Sequence, residues 1–578
     1  MRIGIFFGGP SREREISYAG GKTAFEHLDK SLFQPVPVFV DSFGRFILLR
    51  KEWMYQTSIR DFYPAPASQR EGYLTYVESL PQLAQEEVPA SVGTLITPDE
   101  FKGYFDFALL AMHGPDCEDG AIQGLLEWYR IPYSGPGLMG SAVGIDKVLQ
   151  NEMIALANGQ QKRMAVVTHQ QWQKEDRGVL FAKLKETLDL PLVVKAPHQG
   201  SSIGVAIVKN DAYDDFVAAI NQCFFQLEVP TEAWHRLAKE EKHHWAQRVT
   251  NLDEGIGFPV VAGGTTLYHP QELVTYLDAQ QQGTSLIASS NAEDQVLLEE
   301  FVNGQEFSCG CIQFDDGTPL ALPPTEVVKI VEVFDFNAKY RPGTTRKRIP
   351  VGTSLENNRN IQRHIATVFQ RLGMNVCARI DGFLTADDTV LLHDPNTIPG
   401  MSPSSLIFKQ MAEIGLSVTH AITYFIRQSI RERIRTGKGT WELRSLLEKL
   451  DQNITAAHQQ DWPKVGIVFS ATDEQYAQAR AAYSQLNAEG KARPVVVLKQ
   501  GEENYFILPN QLMFKESVDE VLAQLQTQRD ALIEETVQKA APITTFYAGA
   551  VQAEVAWVAD LSSIDRVENW IVLSPANV

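Results

Sequence analysis

The chain has 578 residues, 44% of them hydrophobic and 21% charged, a length that exceeds one hydrophobic core and a composition that excludes a disordered or fibrous chain. A formal net charge of −19 disfavours nucleic acid and anionic membranes as partners, because the densest basic stretch, Arg341 to Arg348, is short and local. Apolar runs fall short of the ~18 residues of a membrane span, and the opening run that ends at Phe7 is too short for a secretory signal. Five scattered cysteines, with Cys309 and Cys311 read as core packing, indicate a reducing, cytoplasmic setting.

In chain order, Arg2–Phe7 reads as a buried strand ended by Gly8-Gly9-Pro10-Ser11, then a helix to Leu28 and a strand at Val36–Val40. A further apolar run, Phe107–Met112, stops at His113-Gly114. This alternation predicts a parallel α/β sheet with ligands beyond the carboxyl ends of its strands, where Gly8–Ser11 and His113–Gly120 fall. Ser141 to Gly159 reads as one helix, followed by the strand Leu192–Lys195, a turn at Gly200-Ser201-Ser202 and a returning strand Val205–Val208. Gln295–Glu300 and Phe307–Phe314 read as a strand pair turning at Asn303-Gly304. Residues of about 228–290 are polar, aromatic and irregular, and read as an insertion on a loop rather than core.

Arg379–Leu384 and Thr389–Asp394 predict a hairpin around Asp387-Asp388, and helices run from Met401 past Ile430 into a charged linker. The end of the chain echoes its beginning: Lys464–Phe469 resembles Arg2–Phe7, and Tyr505–Leu508 resembles Arg45–Leu48. Ser470–Gln475 replaces Gly8–Glu13, so the glycines that admit a ligand are gone and a degenerate α/β repeat with no site of its own is expected. The expected domains are 1–140 (α/β), 141–296 with the insertion, 297–435, a linker at 436–460 and the repeat at 461–578.

Two nucleotide patterns carry little. Gly135-Pro-Gly-Leu-Met-Gly140 matches a dinucleotide fingerprint, but no acidic residue ends a second strand about 20 residues on, and a turn into a helix accounts for it. Gly21-Lys22-Thr23 has Ile16 where a P-loop needs glycine. The strong signal is Arg379-Ile-Asp381 with Asp394-Pro-Asn396: two carboxylates and an amide oxygen at one sheet end make a hard oxygen site suited to Mg²⁺. On an extended strand Asp394 and Asn396 would point the same way, with Arg379 a fixed cation on the face of Asp381. A hairpin with an Asx-turn is the plainer alternative, and it leaves the four polar groups together unexplained.

This segment resembles the metal and phosphate segment of the ATP-grasp ligases, and specifically of the D-alanine–D-alanine ligase family. The likeness continues in order through Phe7–Ser17, His113–Gly124, Asp146-Lys147, Lys195 with Gly200–Gly204, Glu299–Phe307 and Ala338–Tyr340. It implies an ATP-grasp fold behind a Rossmann-like α/β domain, and ATP-dependent joining of two D-alanines through an acylphosphate for peptidoglycan precursors. By resemblance, Lys147, Lys195, Ser202 and Lys339 would hold the ATP phosphates, and Glu299, Glu300, Val302 and Glu306 its adenosine. Asp381, Asp394 and Asn396 would bind two Mg²⁺, with Mn²⁺ as an acceptable substitute. Glu13, linked to Ser201 and Tyr340, would meet the first ammonium, and His113 the first carboxylate. Arg379 and the Gly400 N–H would stabilise the oxyanion, and Ser405 and Leu406 would take the second carboxylate. The implied partners are small amino acids and ATP, not nucleic acid or membrane, and a homodimer fits the family.

The sequence departs from the family at Asp394, where glutamate is usual, and at Pro395 and Pro403. Those departures keep a second reading open, a carboxylate–amine ligase making another dipeptide. A third, from a different class, is a catalytically silent nucleotide-binding regulatory or scaffold protein.

Overall fold

The computed structural model describes residues 1–62, 72–73, 75–85, 88–252, 255–329, 345–402, 404–437, 440–501, 504–525, 527–549 and 554–573, which form five sheets. The first contains β1 (Arg2–Gly8), β2 (Gln34–Val40), β3 (Phe46–Leu49), β4 (Gly93–Ile96) and β5 (Phe107–Leu110) in the order β4-β3-β2-β1-β5. β1 runs parallel to both neighbours, and a strand enclosed in this way needs apolar residues on both faces: Ile3, Ile5, Phe6 and Phe7 are all buried. The chain leaves β1 through Gly8 and Gly9, at φ 94° and 98°, and enters helix α1 (Arg14–His27). A Cβ on Gly8 would lie 2.3 Å from the Val40 carbonyl oxygen, so only glycine fits this turn.

The stretch expected as one helix is two. Leu138–Ile145 ends at Asp146, whose extended backbone and side chain start a new helix, α2 (Lys147–Asn158), by accepting from the Val148 and Leu149 N–H groups. The central sheet contains β6 (Met164–Thr168), β7 (Leu192–Lys195) and β8 (Val205–Val208).

The insertion then builds a sheet of its own from β9 (Gln226–Pro230), β10 (Val260–Ala262), β11 (Thr265–Leu267) and β12 (Thr284–Ser289). It is therefore not a loop. Trp234, Val249, Phe258, Leu273 and Ile287 form its core, while the charged faces of short helices such as Lys239–Thr250 make its average composition polar.

β13 (Gln295–Glu300) returns to the central sheet between β6 and β7, in the order β6-β13-β7-β8. It does not pair with β14 (Gly304–Gln313), contrary to the expected strand pair, because both of its edges are already filled. β14 belongs to the next sheet with β15 (Pro319–Ala321), β16 (Thr325–Lys329), β17 (Thr345–Arg348), β18 (Cys377–Thr385) and β19 (Val390–Asn396). Three helices follow: α3 (Leu406–Glu413), α4 (Val418–Arg435) and α5 (Thr440–Gln459). The last occupies the stretch expected as a linker and buries Leu443, Leu450 and Ile454.

The fifth sheet contains β20 (Lys464–Ser470), β21 (Arg493–Gln500), β22 (Asn504–Leu508), β23 (Ala556–Val558) and β24 (Val567–Val572), with α6 (Asp473–Glu489) after β20 and α7 (Ala531–Ala548) before β23. Its order, β23-β22-β21-β20-β24, and its strand directions repeat those of the first sheet. The correspondence reaches single hydrogen bonds. Tyr18 Oη in α1 donates to the Trp53 and Gln56 carbonyls, and Tyr476 Oη in α6 donates to those of Leu512 and Lys515. Phe7 meets Tyr18 at 5.8 Å between ring centroids, and Phe469 meets Tyr476 at 5.9 Å. The offset is 462 residues between the phenylalanines but 458 between the tyrosines, so the strand-to-helix connection is four residues shorter in the terminal sheet. Among the described residues no helix is long and apolar enough to cross a membrane.

Candidate active site

Beyond β1 and β5, Ser11 Oγ donates to the His113 carbonyl at 2.5 Å and accepts from the Glu13 N–H at 3.2 Å, tying the two loops together. Glu13 is buried at the start of α1, and its Oε1 accepts from Ser201 Oγ. Among the described residues Glu13 Oε2 is buried without a partner, as is Nε2 of His113, whose Nδ1 lies 3.2 Å from Glu118. Burial, reinforced by the charge of Glu118, raises the Glu13 pKa. For His113 burial acts the other way, but the hydrogen bond and charge of Glu118 outweigh it and the pKa rises. Two unsatisfied buried groups, one acidic and one basic, are what a bound amino acid would complete.

The groups expected at the ATP phosphates come from α2, β7 and the loop after it. Lys147 Nζ donates to the Gln199 carbonyl. Lys195 Nζ lies 2.8 Å from Glu299 and 3.7 Å from Asp394, and Glu299 also holds Lys162 at 2.7 Å and accepts from Asn151 at 2.8 Å. Burial works against the charge of Lys195, yet Asp394 and Glu299 outweigh it and raise its pKa. Burial likewise opposes ionisation of Glu299, and its two lysines hold it well below the carboxylate range. The loop is fastened by His198, 2.7 Å from Glu293 and 3.7 Å from Asp146, which together raise the imidazole to about 10. In that loop Ser201 and Ser202 adopt φ of 52° and 64°, the left-handed region that serine enters only under constraint.

The metal-type cluster sits on β18 and β19. Asp381 Oδ1 accepts from Ser308 Oγ at 2.6 Å and from Arg379 Nε at 3.3 Å. The extended-strand expectation for Asp394 and Asn396 is corrected here. The register slips between Ile380, opposite Pro395, and Asp381, opposite His393, so Asp394 is the extra residue of a β-bulge at φ 45°. The bulge turns its carboxylate towards Lys195 and His393, 3.7 and 3.1 Å away. Burial opposes ionisation of Asp394, and Lys195, Lys147 and His393 hold its pKa well below the usual range. Asn396 commits its amide nitrogen to the Arg379 and Asp394 carbonyls, so only its oxygen could serve as a ligand atom. Two carboxylates and an amide oxygen fit Mg²⁺ in chemistry. Among the described residues no group of three or more His, Cys, Asp or Glu side chains is placed to hold a metal.

The remaining expected residues are more scattered. Glu300 is paired with Arg163 at 2.8 Å, Val302 follows β13, and Glu306 lies on β14 opposite Phe383. Space around the Gly400 Cα is open. Ser405 caps α3, which begins at Leu406, and among the described residues its buried Oγ has no partner. Lys339, Tyr340 and Pro403 lie outside the described residues. The structure thus brings Glu13, His113 and Ser201 together, Lys195, Glu299 and Asp394 in a second group, and Arg379 and Asp381 with Ser308 on the neighbouring strands; the charge of Lys147 acts on both Glu13 and Asp394. Sequence reasoning missed Lys162, the His198–Glu293 pair and Ser308. Only Ser308 had a signal, its register opposite Asp381 once β14 is paired with β18.

Family models described as D-ala D-ala ligase N-terminus and D-ala D-ala ligase C-terminus match residues 2–136, and residues 153–229 and 223–427. Similar curated proteins include the D-alanine--D-alanine ligase of Geobacillus thermodenitrificans, 25% identical over 405 residues that cover 70% of this chain and 88% of that protein. The D-alanine--D-alanine ligase of Bacillus cytotoxicus is 26% identical over 435 residues, 74% of this chain and 96% of that one. D-alanine--D-alanine ligase A of Brucella melitensis is 25% identical over 438 residues, 74% and 98% respectively. Among solved structures, the D-alanine-D-alanine ligase of Coxiella burnetii superposes with a TM-score of 0.50 at 21% identity, over 78% of this chain and 99% of that one, a likeness of fold. With more than half of its length matched by the two family models, the chain belongs to the D-alanine–D-alanine ligase family, ATP-dependent ligases built on an ATP-grasp fold.

Proposed function

We propose that the chain joins two D-alanine molecules at the expense of ATP, giving D-alanyl-D-alanine, ADP and phosphate for peptidoglycan precursor synthesis in the cytoplasm. The observation that supports the reading is that Glu13 Oε2, His113 Nε2 and Ser405 Oγ are buried with no partner among the described residues, and these are the residues expected at the ammonium and carboxylates of the substrates.

In this reading Glu13 holds the first ammonium and His113 the first carboxylate. Lys147 and Lys195 bind the ATP phosphates, and Lys147 exchanges its bond to the Gln199 carbonyl for a phosphate oxygen. Glu299 keeps Lys195 ionised and aimed, so its part in nucleotide binding runs through its lysines. Asp381, Asp394 and Asn396 would hold two Mg²⁺, whose charge would offset that developing on the transferring phosphoryl group. The carboxylate of the first D-alanine takes the γ-phosphoryl, and the amine of the second, whose carboxylate lies at Ser405 and the Leu406 N–H, attacks the acylphosphate. Arg379 and the Gly400 N–H meet the resulting oxyanion, and loss of one such donor costs about 10²–10³ in rate. The oxyanion then collapses with cleavage of the carbonyl C–O bond to phosphate, which leaves as inorganic phosphate, and the amine nitrogen, now in the peptide bond, loses its proton.

Trapping with hydroxylamine tests the first half-reaction. ATP, Mg²⁺ and D-alanine should yield D-alanine hydroxamate and ADP, and Glu13→Gln should suppress both. Hydroxamate formed equally well by Glu13→Gln would remove Glu13 from the site.

A further inference from the structure

The end of the chain beyond the matched family segment grips one helix of the site. On one flank α3 is fastened to β14: Gln410 accepts from the Gly310 N–H at 2.7 Å and donates at 2.8 Å to the carbonyl of Ser308, the serine that holds Asp381. On the other flank the contacts come from the terminal domain. Lys515 meets Glu413 at 2.9 Å, and Glu516 meets Lys409 at 2.9 Å.

The carbonyls at the carboxyl end of α3, which a helix cannot satisfy internally, are taken by the same domain. Arg529 donates to the Glu413 carbonyl at 3.4 Å, Thr544 in α7 to that of Ile414 at 2.8 Å, and Asn510 to that of Gly415 at 3.4 Å. Every residue from Ile407 to Glu413 is buried between the two flanks. The same domain also meets the end of α1, the helix that starts beside Glu13, where the Lys30 N–H donates to the Ala488 carbonyl at 2.8 Å.

We propose that the terminal domain, a copy of the first that has lost its ligand loop, is a positioning element: it fixes α3 and thereby sets the affinity of the second-substrate position at Ser405 and Leu406. The role of that position rests on the proposed function. The physics is that of a rigid rod. α3 spans about 12 Å at 1.5 Å per residue, so releasing its carboxyl end displaces its amino end, where the second carboxylate would sit. Gln410, fastened to β14 from mid-helix, can act as a pivot. Lys515 and Glu413 touch no reacting atom; they act through the helix.

The test is charge reversal in the full-length chain. Lys515→Glu should raise the D-alanine concentration for half-maximal dipeptide formation by about tenfold, the effect expected of a sub-ångström misplacement. Hydroxylamine trapping, which needs only the first D-alanine, and the half-saturating ATP concentration should stay within about twofold of the parent, as is usual for a site left in place. Lys515→Arg should behave as the parent, and the double variant Lys515→Glu, Glu413→Lys should restore dipeptide formation. Hydrogen–deuterium exchange should show amides 406–413 exchanging faster in Lys515→Glu than in the parent, and slowing again in the double variant. Unchanged D-alanine dependence and unchanged exchange in a folded Lys515→Glu would overturn the proposal. So would a parallel loss of every constant, with the thermal midpoint, that the swap fails to restore. If the parent forms no dipeptide from D-alanine, the substrate reading fails by itself, and the exchange rates of 406–413 still decide whether the terminal domain holds α3.

Discussion

Replacing Glu299 by glutamine keeps its shape and removes the charge that two lysines share. Glu299 is 2% exposed, with Lys162 at 2.7 Å, Lys195 at 2.8 Å and the Asn151 amide at 2.8 Å. In the variant two ammonium groups occupy a buried site beside a neutral amide, and breaking a buried ion pair from one side costs about 3–5 kcal/mol. Lys195 keeps Asp394 at 3.7 Å, which places the cost at the lower end, about 3 kcal/mol. For a cooperative unit of roughly 150–250 residues this lowers the thermal midpoint by about 6–12 °C. Calorimetry on the full-length chain at neutral pH reads the shift. The folded-state pKa of Glu299 is depressed, so its stabilisation is present above its unfolded value of about 4.3 and is lost as pH falls through the folded value. The gap between parent and variant should therefore close in acid. Adding Lys162→Met should recover part of the loss, with a coupling of about 1–2 kcal/mol. A midpoint shift below about 2 °C, well under the size expected for a buried pair, or strictly additive variants, would show that the shared charge does not stabilise this site.

Other perturbations probe the rest of the site. Ser308→Ala removes the donor to Asp381 and should raise the half-saturating Mg²⁺ concentration about tenfold with the thermal midpoint little changed, as read by metal titration of turnover. Gly200→Ala would place a Cβ 2.6 Å from Glu13 Oε2, so Ser201 must leave Glu13 and turnover should drop on the order of 10²-fold with the circular dichroism spectrum retained. His198, raised to about 10 by Asp146 and Glu293, fastens its loop fully below its unfolded pKa of about 6.5, and that stabilisation is lost as pH rises through about 10. ATP affinity measured by calorimetric titration should accordingly weaken towards pH 10 in the parent more steeply than in His198→Gln; parallel pH profiles would show that the imidazole does not hold the loop.

What could be read from the sequence follows how local each feature is. The β18–β19 hairpin was legible because Arg379, Asp381, Asp394 and Asn396 lie within one turn of chain, and because their donor types suit one chemistry. The bulge that aims Asp394 was not, since a register slip depends on how two strands settle together rather than on either alone. Lys162 and Glu299 are 137 residues apart and Lys162 sits in no motif, so their pairing emerges only when β6 and β13 lie side by side. The insertion misled through averaging: Trp234, Val249 and Leu273 are its core, diluted in sequence by the charged outer faces of small helices. The echo of β1 in β20 was visible because a parallel strand with both faces covered leaves a nearly continuous apolar run wherever it recurs.

The central claim is that this cleft couples ATP cleavage to the joining of two D-alanines. It is tested most directly by measuring ADP release with Mg²⁺ across a panel of D- and L-amino acids, with the products identified by mass. The account predicts turnover that requires D-alanine and yields one D-alanyl-D-alanine per ADP. ADP release only with other amino acids, or ATP bound without turnover under every combination, would contradict it.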